Sequence, residues 1–302
     1  MSVVKKTMNS TENVNALADE LVELLKVSVK ENIAEAVLLS GGLDSSVIAC
    51  LASKYSNSES KSKPTAIVVA LEEGTDIHYS RSVAETFGLE LKVKIFDIEA
   101  AIESIPEVVK ALNTYNPMLI RFGVAMYAAL SYAKELDFSA VMTGDGGDEL
   151  FFGYRHLFRL EQKEIERRME DKIRRIKEKE PLVSEALGNL LGIDVKQPFL
   201  DTRIIDFASK VPFELKVRKI KTKTNGEEEI IGKWILRKAF ENLLPGEIIW
   251  RRKEETDISR GTDKLSRVVS SRMSDVEFEQ ISKSTEVRIT SREEAYYYKM
   301  MR

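Results

Sequence analysis

Along its first half the chain alternates short β-branched runs with stretches of helical periodicity, and two of the runs end in turns rich in glycine and aspartate. Residues 36–39 (AVLL), 65–71 (TAIVVAL), 89–98 (LELKVKIFDI) and 140–142 read as strands. Residues 17–29, the run after Leu43, and residues 79–87, 99–112 and 120–136 carry apolar positions at helical spacing. Strands alternating with helices in this way predict an α/β fold built on a doubly wound, mostly parallel sheet. Such sheets bind ligands beyond the carboxyl ends of their strands. Both glycine-rich turns fall there.

The second half has a different texture. Residues 155–180 (RHLFRLEQKEIERRMEDKIRRIKEKE) predict a charge-dense helix stopped by Pro181. An exposed helix laced by i,i+4 ion pairs explains that run better than a functional basic patch. Residues 183–191, 202–210, 233–243 and 291–301 also read as helices, and 221–229 (KTKTNGEEE) as an exposed loop, the most flexible segment expected. This divides the chain into a helical N-terminal segment, 1–34, and one domain, 35–302. Within that domain residues 35–154 form the α/β core and 155–302 a mainly helical part that completes the site.

Composition narrows the function. With 302 residues and 43% hydrophobic residues the chain can bury a large core. Its 46 Lys+Arg against 49 Asp+Glu leave a net charge of −3, which argues against a nucleic-acid binder or a polybasic membrane-surface protein. The single cysteine, Cys50, excludes an intramolecular disulfide framework and a cysteine metal cluster, and two histidines are too few for a His-rich metal site. The N-terminus lacks the apolar run of a secretory signal, and no long apolar stretch follows. The expectation is a cytoplasmic protein without membrane or nucleic-acid partners.

The first turn reads Leu38-Leu39-Ser40-Gly41-Gly42-Leu43-Asp44-Ser45-Ser46, after a strand and before a helix. Two glycines let the backbone approach a phosphate, successive N–H groups form an anion nest, and the helix N-terminus adds its positive end. Ser40, Ser45 and Ser46 offer hydroxyls. Asp44 is out of place beside phosphate unless a divalent cation lies between them, which suggests Mg²⁺. No lysine follows the glycines, so this is not a Walker A loop. A Gly-Gly turn without a ligand is the plain alternative. The string resembles the SGGxDS loop of the PP-loop ATP pyrophosphatases, which cleave ATP between its α and β phosphates.

The fourth strand ends in Thr143-Gly144-Asp145-Gly146-Gly147-Asp148-Glu149-Leu150-Phe151-Phe152-Gly153-Tyr154. A solvated acidic loop is the alternative to a cation-binding one. Here the chain resembles the synthetase domain of the asparagine synthetase and β-lactam synthetase family, which carries an SGEGSDELFGGY-like string. The similarity continues in Val69-Ala70-Leu71 with Asp76, Thr114-Tyr115, Ile120-Arg121, Gln197-Pro198-Phe199-Leu200-Asp201, Lys233-Trp234-Ile235-Leu236-Arg237, and Trp250-Arg251-Arg252-Lys253-Glu254. It implies an adenine nucleotide alpha hydrolase-like fold and an AMP-forming ligase that adenylates a carboxylate and transfers ammonia to it. ATP would lie on Leu38, Ser40, Gly41, Gly42, Asp44, Ser45, Ser46, Val69, Thr143 and Gly144, with adenine near Leu38 and Val69. Mg²⁺ would be held by Asp44 and Asp148. Lys233 and Lys253 would meet the phosphates, Arg121 pyrophosphate or a substrate carboxylate, and Asp145 the incoming amine.

The chain departs from that family in two respects. Only about 35 residues precede the first strand, so no N-terminal glutaminase domain is expected. Nitrogen would come as free ammonia, from a separate glutaminase subunit, or as another nucleophile; a homodimer is compatible with the pattern. Asp145 stands where the family has glutamate, one methylene longer, and displacements of about 1 Å cost about 10²-fold in rate. Pro117-Met118-Leu119 replaces more polar residues. Aspartate is the first acceptor expected and another carboxylate the second. An RNA-modifying PP-loop enzyme and a nucleotide-sensing subunit without turnover remain further readings.

Overall fold

Helix α1 (Thr11–Glu31) forms because Leu21, Leu25 and Val29 fall on one stripe, and that stripe is wholly buried. The α/β core follows as β1 (Ala36–Leu38), α2 (Leu43–Ala52), β2 (Thr65–Ala70), α3 (Thr75–Phe87), β3 (Leu91–Ile95), α4 (Ile98–Leu112), α5 (Pro117–Glu135) and β4 (Ala140–Met142). Asn116 starts α5 by accepting from the N–H groups of Met118 and Leu119, with Pro117 at the first helical position. The remaining elements are α6 (Gly147–Phe151), a 3₁₀ turn (Arg155–Arg159), α7 (Gln162–Lys177), α8 (Val183–Leu191), β5 (Asp194–Lys196), a second 3₁₀ turn (Pro198–Leu200), α9 (Thr202–Lys210), α10 (Phe213–Lys216), β6 (Arg218–Lys221), β7 (Glu228–Ile231), α11 (Trp234–Phe240), α12 (Gly246–Ile249), α13 (Asp263–Ser271), α14 (Asp275–Ser284) and α15 (Arg292–Met301). This computed structural model describes residues 11–55, 62–178, 180–221, 228–251, 263–285 and 287–301.

The main sheet is parallel throughout, in the order β3-β2-β1-β4-β5. Its side chains feed two cores. Val37, Leu39, Ala66 and Met142 pack with α1, α2, α9 and α11 on one face. Ala36, Ile67, Val69 and Val141 pack with α4, α5, α8, α13 and α15 on the other. Burial on both faces is why these strands read as near-continuous apolar runs. The chain winds outward from β1 through β2 to β3, then returns to pair β4 with the free side of β1. The carboxyl ends of β1 and β4 therefore flank the switch point, where open α/β sheets leave a ligand crevice.

The predicted doubly wound sheet is thus present, and the structure adds helices the sequence reading did not place, among them α13 and α14, along with further local differences. β5 is an additional strand, three residues long at the sheet edge. The predicted helix over 155–180 is interrupted: a 3₁₀ turn ends at extended Leu160, and the α-helix starts at Gln162. Leu157 causes the break by turning into a small core of Phe152, Ile165, Met169 and Val217. The ends of the predicted 221–229 loop are strands, β6 and β7 pairing antiparallel as a hairpin; its centre, 222–227, lies outside the described residues. Among the described residues no helix is long and apolar enough to cross a membrane.

One carboxylate clamps the amino end of the sheet. Glu35 Oε2 accepts from the Ser139 N–H (2.7 Å), the Ser139 hydroxyl (2.8 Å) and the Ala140 N–H (3.0 Å), joining the entries of β1 and β4. Desolvation alone would raise this carboxyl, but the three donors outweigh it and hold it below the ordinary glutamate value. A depressed carboxylate stabilises the fold above its unfolded pKa, about 4.3, and that contribution vanishes as pH falls through the folded value. Glu35→Ala should cost about 1–2 kcal/mol in urea unfolding at pH 7. The difference from wild type should shrink by pH 3.

Candidate active site

The turn after β1 is built around Gly41 and the hydroxyl of Ser45. Gly41 has φ +64°, and a Cβ there would lie 2.4 Å from Tyr79 Cβ and 2.8 Å from Ser80 N, so only glycine lets α3 pack this closely. The Ser40 N–H donates to Ser45 Oγ (3.2 Å), and Ser45 Oγ–H donates to the Gly42 carbonyl (3.2 Å). Ser80 Oγ–H donates to the Leu39 carbonyl (2.8 Å). Gly42 caps α2 in extended conformation with no side-chain acceptor on the first-turn N–H groups. Those donors suit an anion. Ser46 Oγ is buried without a hydrogen-bond partner. Leu38 ends β1 beside Ile67 of β2, with buried Val69 two residues further along that strand.

The turn after β4 lies directly on the first. A Cβ on Gly144 would fall 2.7 Å from Ser45 N and 2.9 Å from Asp44 C, so the two backbones touch here. Thr143 is buried, with its N–H on the Lys196 carbonyl (2.9 Å). Asp44 and Asp148 converge on Lys233, whose Nζ contacts Asp44 Oδ2 and lies 2.5 Å from Asp148 Oδ1. Lys233 is only 3% exposed. Burial alone would depress this ammonium, but the charges of Asp148 and Asp44 prevail and hold it above the ordinary lysine value. Its φ is +56°, and its N–H donates to the Phe151 carbonyl (3.0 Å). A non-glycine residue in this conformation costs of order 1–3 kcal/mol, a strain found chiefly at functional sites.

Two arginines support this centre and were not singled out as site residues by the sequence. Arg237, one helical turn after Lys233, donates through Nε to the Gly232 carbonyl (3.1 Å) and through Nη1 to the Ile249 carbonyl. Burial pulls its guanidinium below the usual value, against the pull of Asp44 and Asp148. Arg251 donates through Nη1 to the Gly41 carbonyl (3.2 Å), lies 3.5 Å from Asp76, and stacks on Tyr79 with its Cζ 3.9 Å from the ring centroid. The one sequence signal was the Trp250–Arg251–Arg252–Lys253–Glu254 string itself. Because Arg251 holds the first loop through the Gly41 carbonyl, Arg251→Ala should raise the KM for ATP about tenfold with a smaller fall in kcat, since a charged hydrogen bond is worth about 1.5–3 kcal/mol. Initial-rate kinetics against ATP check this.

The other acids are tightly held. Asp145 Oδ2 accepts from Thr143 Oγ1–H (3.0 Å) and from Ser184 Oγ–H. Burial and the neighbouring Asp148 raise the pKa of Glu149, partly offset by a hydrogen bond from Tyr154. Burial and the charge of Glu149 push the Tyr154 hydroxyl up, keeping it a donor. Arg121, expected to face a ligand, is placed against buried Glu293 of α15, with Nη1 2.8 Å from both carboxylate oxygens. Ser266 of α13 (2.7 Å) and Tyr297 (2.9 Å) donate to the same carboxylate. Lys253 lies outside the described residues. Cys50 is a buried core thiol pushed up to about 11 by desolvation, which makes it inert.

Asp44 and Asp148 together suit a divalent cation. Two carboxylates beside a phosphate cradle are the hard oxygen donors that Mg²⁺ takes along with phosphate oxygens. Among the described residues no cluster of three or more His, Cys, Asp or Glu side chains could hold a metal on its own.

Comparison with known proteins follows the same residues. Residues 16–191 and 160–299 match the asparagine synthase family. Asparagine synthetase [glutamine-hydrolyzing] 2 of Lotus japonicus is 30% identical over 278 residues, 88% of this chain and 46% of that protein. The asparagine synthetase [glutamine-hydrolyzing] of Gallus gallus is 30% identical over 277 residues, 87% and 47% of the two chains. The chain spans about half the length of these curated relatives. The NMN synthetase from Francisella tularensis superimposes with a TM-score of 0.40 at 14% identity, covering 95% of this chain and 93% of that one. The family pattern runs through both loops and through the helical half that supplies Lys233, and the chain belongs to the asparagine synthase family.

Proposed function

We propose that the chain is an ATP-dependent amide synthetase. It would adenylate a carboxylate, most simply the aspartate side chain, release pyrophosphate, and transfer ammonia to the acyl carbon. The convergence of Asp44, Asp148 and Lys233 where the two loops meet carries this reading. A carboxylate resists attack by an amine because its oxygen leaves poorly. Attack of that oxygen on the α-phosphorus breaks the α–β bond and makes AMP the later leaving group. Charge then builds on pyrophosphate, and a preorganised cation in a dry site is the strongest stabiliser of such charge. Lys233 fits that task, and the backbone of residues 40–46 fits the phosphates. Mg²⁺ held by Asp44 and Asp148 would neutralise further phosphate charge. Leu38, Val69, Thr143 and Gly144 line the nucleotide in this reading, Lys253 serves the pyrophosphate, and Asp145 takes the proton that ammonia loses on attack.

The curated relatives are named as glutamine-hydrolysing enzymes, and this chain matches about half of each. The nitrogen would reach the acyl carbon as ammonia, supplied free or by a glutaminase. A second reading keeps the adenylation and changes the acceptor. Met118 and Leu119 at the start of α5 are 55% and 37% exposed, an apolar surface at the carboxyl edge of the sheet that suits a less polar carboxylate. One assay separates the two: the protein with ATP, Mg²⁺, aspartate and ammonium, with AMP, ADP and asparagine quantified together. Equal AMP and asparagine support the first reading, and AMP without asparagine favours the second. An absence of AMP with every carboxylate and amine tried would refute both.

A further inference from the structure

Ser184 lies at the start of α8, far in sequence from either loop, and is completely buried. Its hydroxyl donates to Asp145 Oδ2 and accepts from Gln197 Nε2 (3.0 Å). The amide N–H occupies an acceptor site on the hydroxyl, so the hydroxyl proton is committed to the carboxylate. Thr143 repeats the pattern: its Oγ1 accepts from the Asp145 N–H (3.4 Å) and donates back to the same Oδ2 (3.0 Å). Two hydroxyls, each oriented by an N–H, thus converge on one oxygen of the one acid that the family resemblance places beside the incoming amine.

The framework around Ser184 is rigid. A Cβ on Gly188, one turn along α8, would fall 2.5 Å from Val195 Cγ2 and 2.7 Å from the Ile193 carbonyl, so α8 lies hard against β5. Gln197 follows β5 directly. A hydroxyl fixed by two packed elements can set the direction of a short carboxylate that its own side chain cannot extend.

We propose that Ser184, oriented by Gln197, is a positioning residue for Asp145 in the amide-forming step, and that this relay makes the shorter acid serviceable. The inference rests on the proposed reaction. A proton acceptor works only where its oxygen is held in reach, and two oriented hydroxyls fix the Asp145 carboxylate.

The test compares amide formed per AMP formed in the wild type, Ser184→Ala, Gln197→Met and Asp145→Asn, using whichever carboxylate supports turnover. The relay predicts that Ser184→Ala lowers the ratio about tenfold, because loss of about 1 Å of alignment costs up to 10²-fold. Gln197→Met should lower it less and Ser184→Thr, which keeps the hydroxyl, should restore it. A buried packing residue would change Tm without changing this ratio. A thermal double-mutant cycle reads the contact independently of turnover: Asp145→Asn with Ser184→Ala should lower Tm by less than the sum of the single changes, and additive losses overturn the contact. Turnover with an unchanged ratio in Ser184→Ala overturns the relay alone. An unchanged ratio in Asp145→Asn overturns the role of the acid as well. A wild-type protein that forms no AMP overturns the reaction and the relay with it, while the Tm cycle still decides the contact.

Discussion

Replacing Lys233 by methionine should nearly abolish AMP formation and weaken the fold at the same time. The ammonium is the cation that Asp44 and Asp148 share, and it is almost completely buried. Removing one partner from a buried ion cluster leaves uncompensated charge, which typically costs about 3–5 kcal/mol. Removing a charge-stabilising donor from an active site costs about 10²–10³-fold in kcat. The two effects are separable: urea unfolding at pH 7 reads the first and AMP release at saturating ATP the second. A variant as stable as wild type would mean that the carboxylates find another counter-charge. A variant with wild-type AMP release would remove Lys233 from the chemistry. The pH dependence follows from the raised ammonium. Its stabilising contribution is complete below the unfolded lysine value of about 10.4 and is lost only as pH climbs through the higher folded value.

Gly144→Ala should produce the second large effect by a different route. The added methyl meets backbone, Ser45 N at 2.7 Å and Asp44 C at 2.9 Å, and backbone at a packed loop cannot rotate away. Either β4 or the start of α2 must shift. Overpacking of this kind costs about 1–3 kcal/mol, and a cradle displaced by about 1 Å loses about 10²-fold in rate. The expected signature is a fall in kcat/KM for ATP much larger than the stability change alone would cause. Gly246→Ala is the control, since a Cβ there meets nothing within 4 Å and the backbone is unstrained. It should leave both quantities near wild type.

The parallel sheet and the two loops were legible because they rest on local signals: β-branched runs buried on both faces, and glycines at strand ends. β5 was not, because three residues at an edge, Asp194, Val195 and Lys196, carry no periodicity. The 3₁₀ break before α7 was hidden because Leu157 and Phe158 fit a helical stripe as well as they fit the pocket around Phe152. At the site, Asp44, Asp148 and Lys233 could be named from their strings, but their meeting at one point is a tertiary fact. Arg237, Arg251 and Ser184 were missed for the same reason. Arg251 and Ser184 act on partners 210 and 39 residues away, and Arg237 acts on two backbone carbonyls, so no spacing rule encodes these partners.

The Lys233 bridge also bears on how the protein comes to exist. Both acidic loops are present once the chain has been synthesised through Tyr154, but their shared counter-ion lies about eighty residues further on. Until that lysine emerges and docks its N–H on Phe151, the two loops repel each other where they should close. Closure of the two loops therefore depends on a residue supplied by the helical half. A chain ending before Gly232 would lack both this counter-charge and the later helices that cover the two faces of the sheet, so it is expected to show no ATP binding in equilibrium titration.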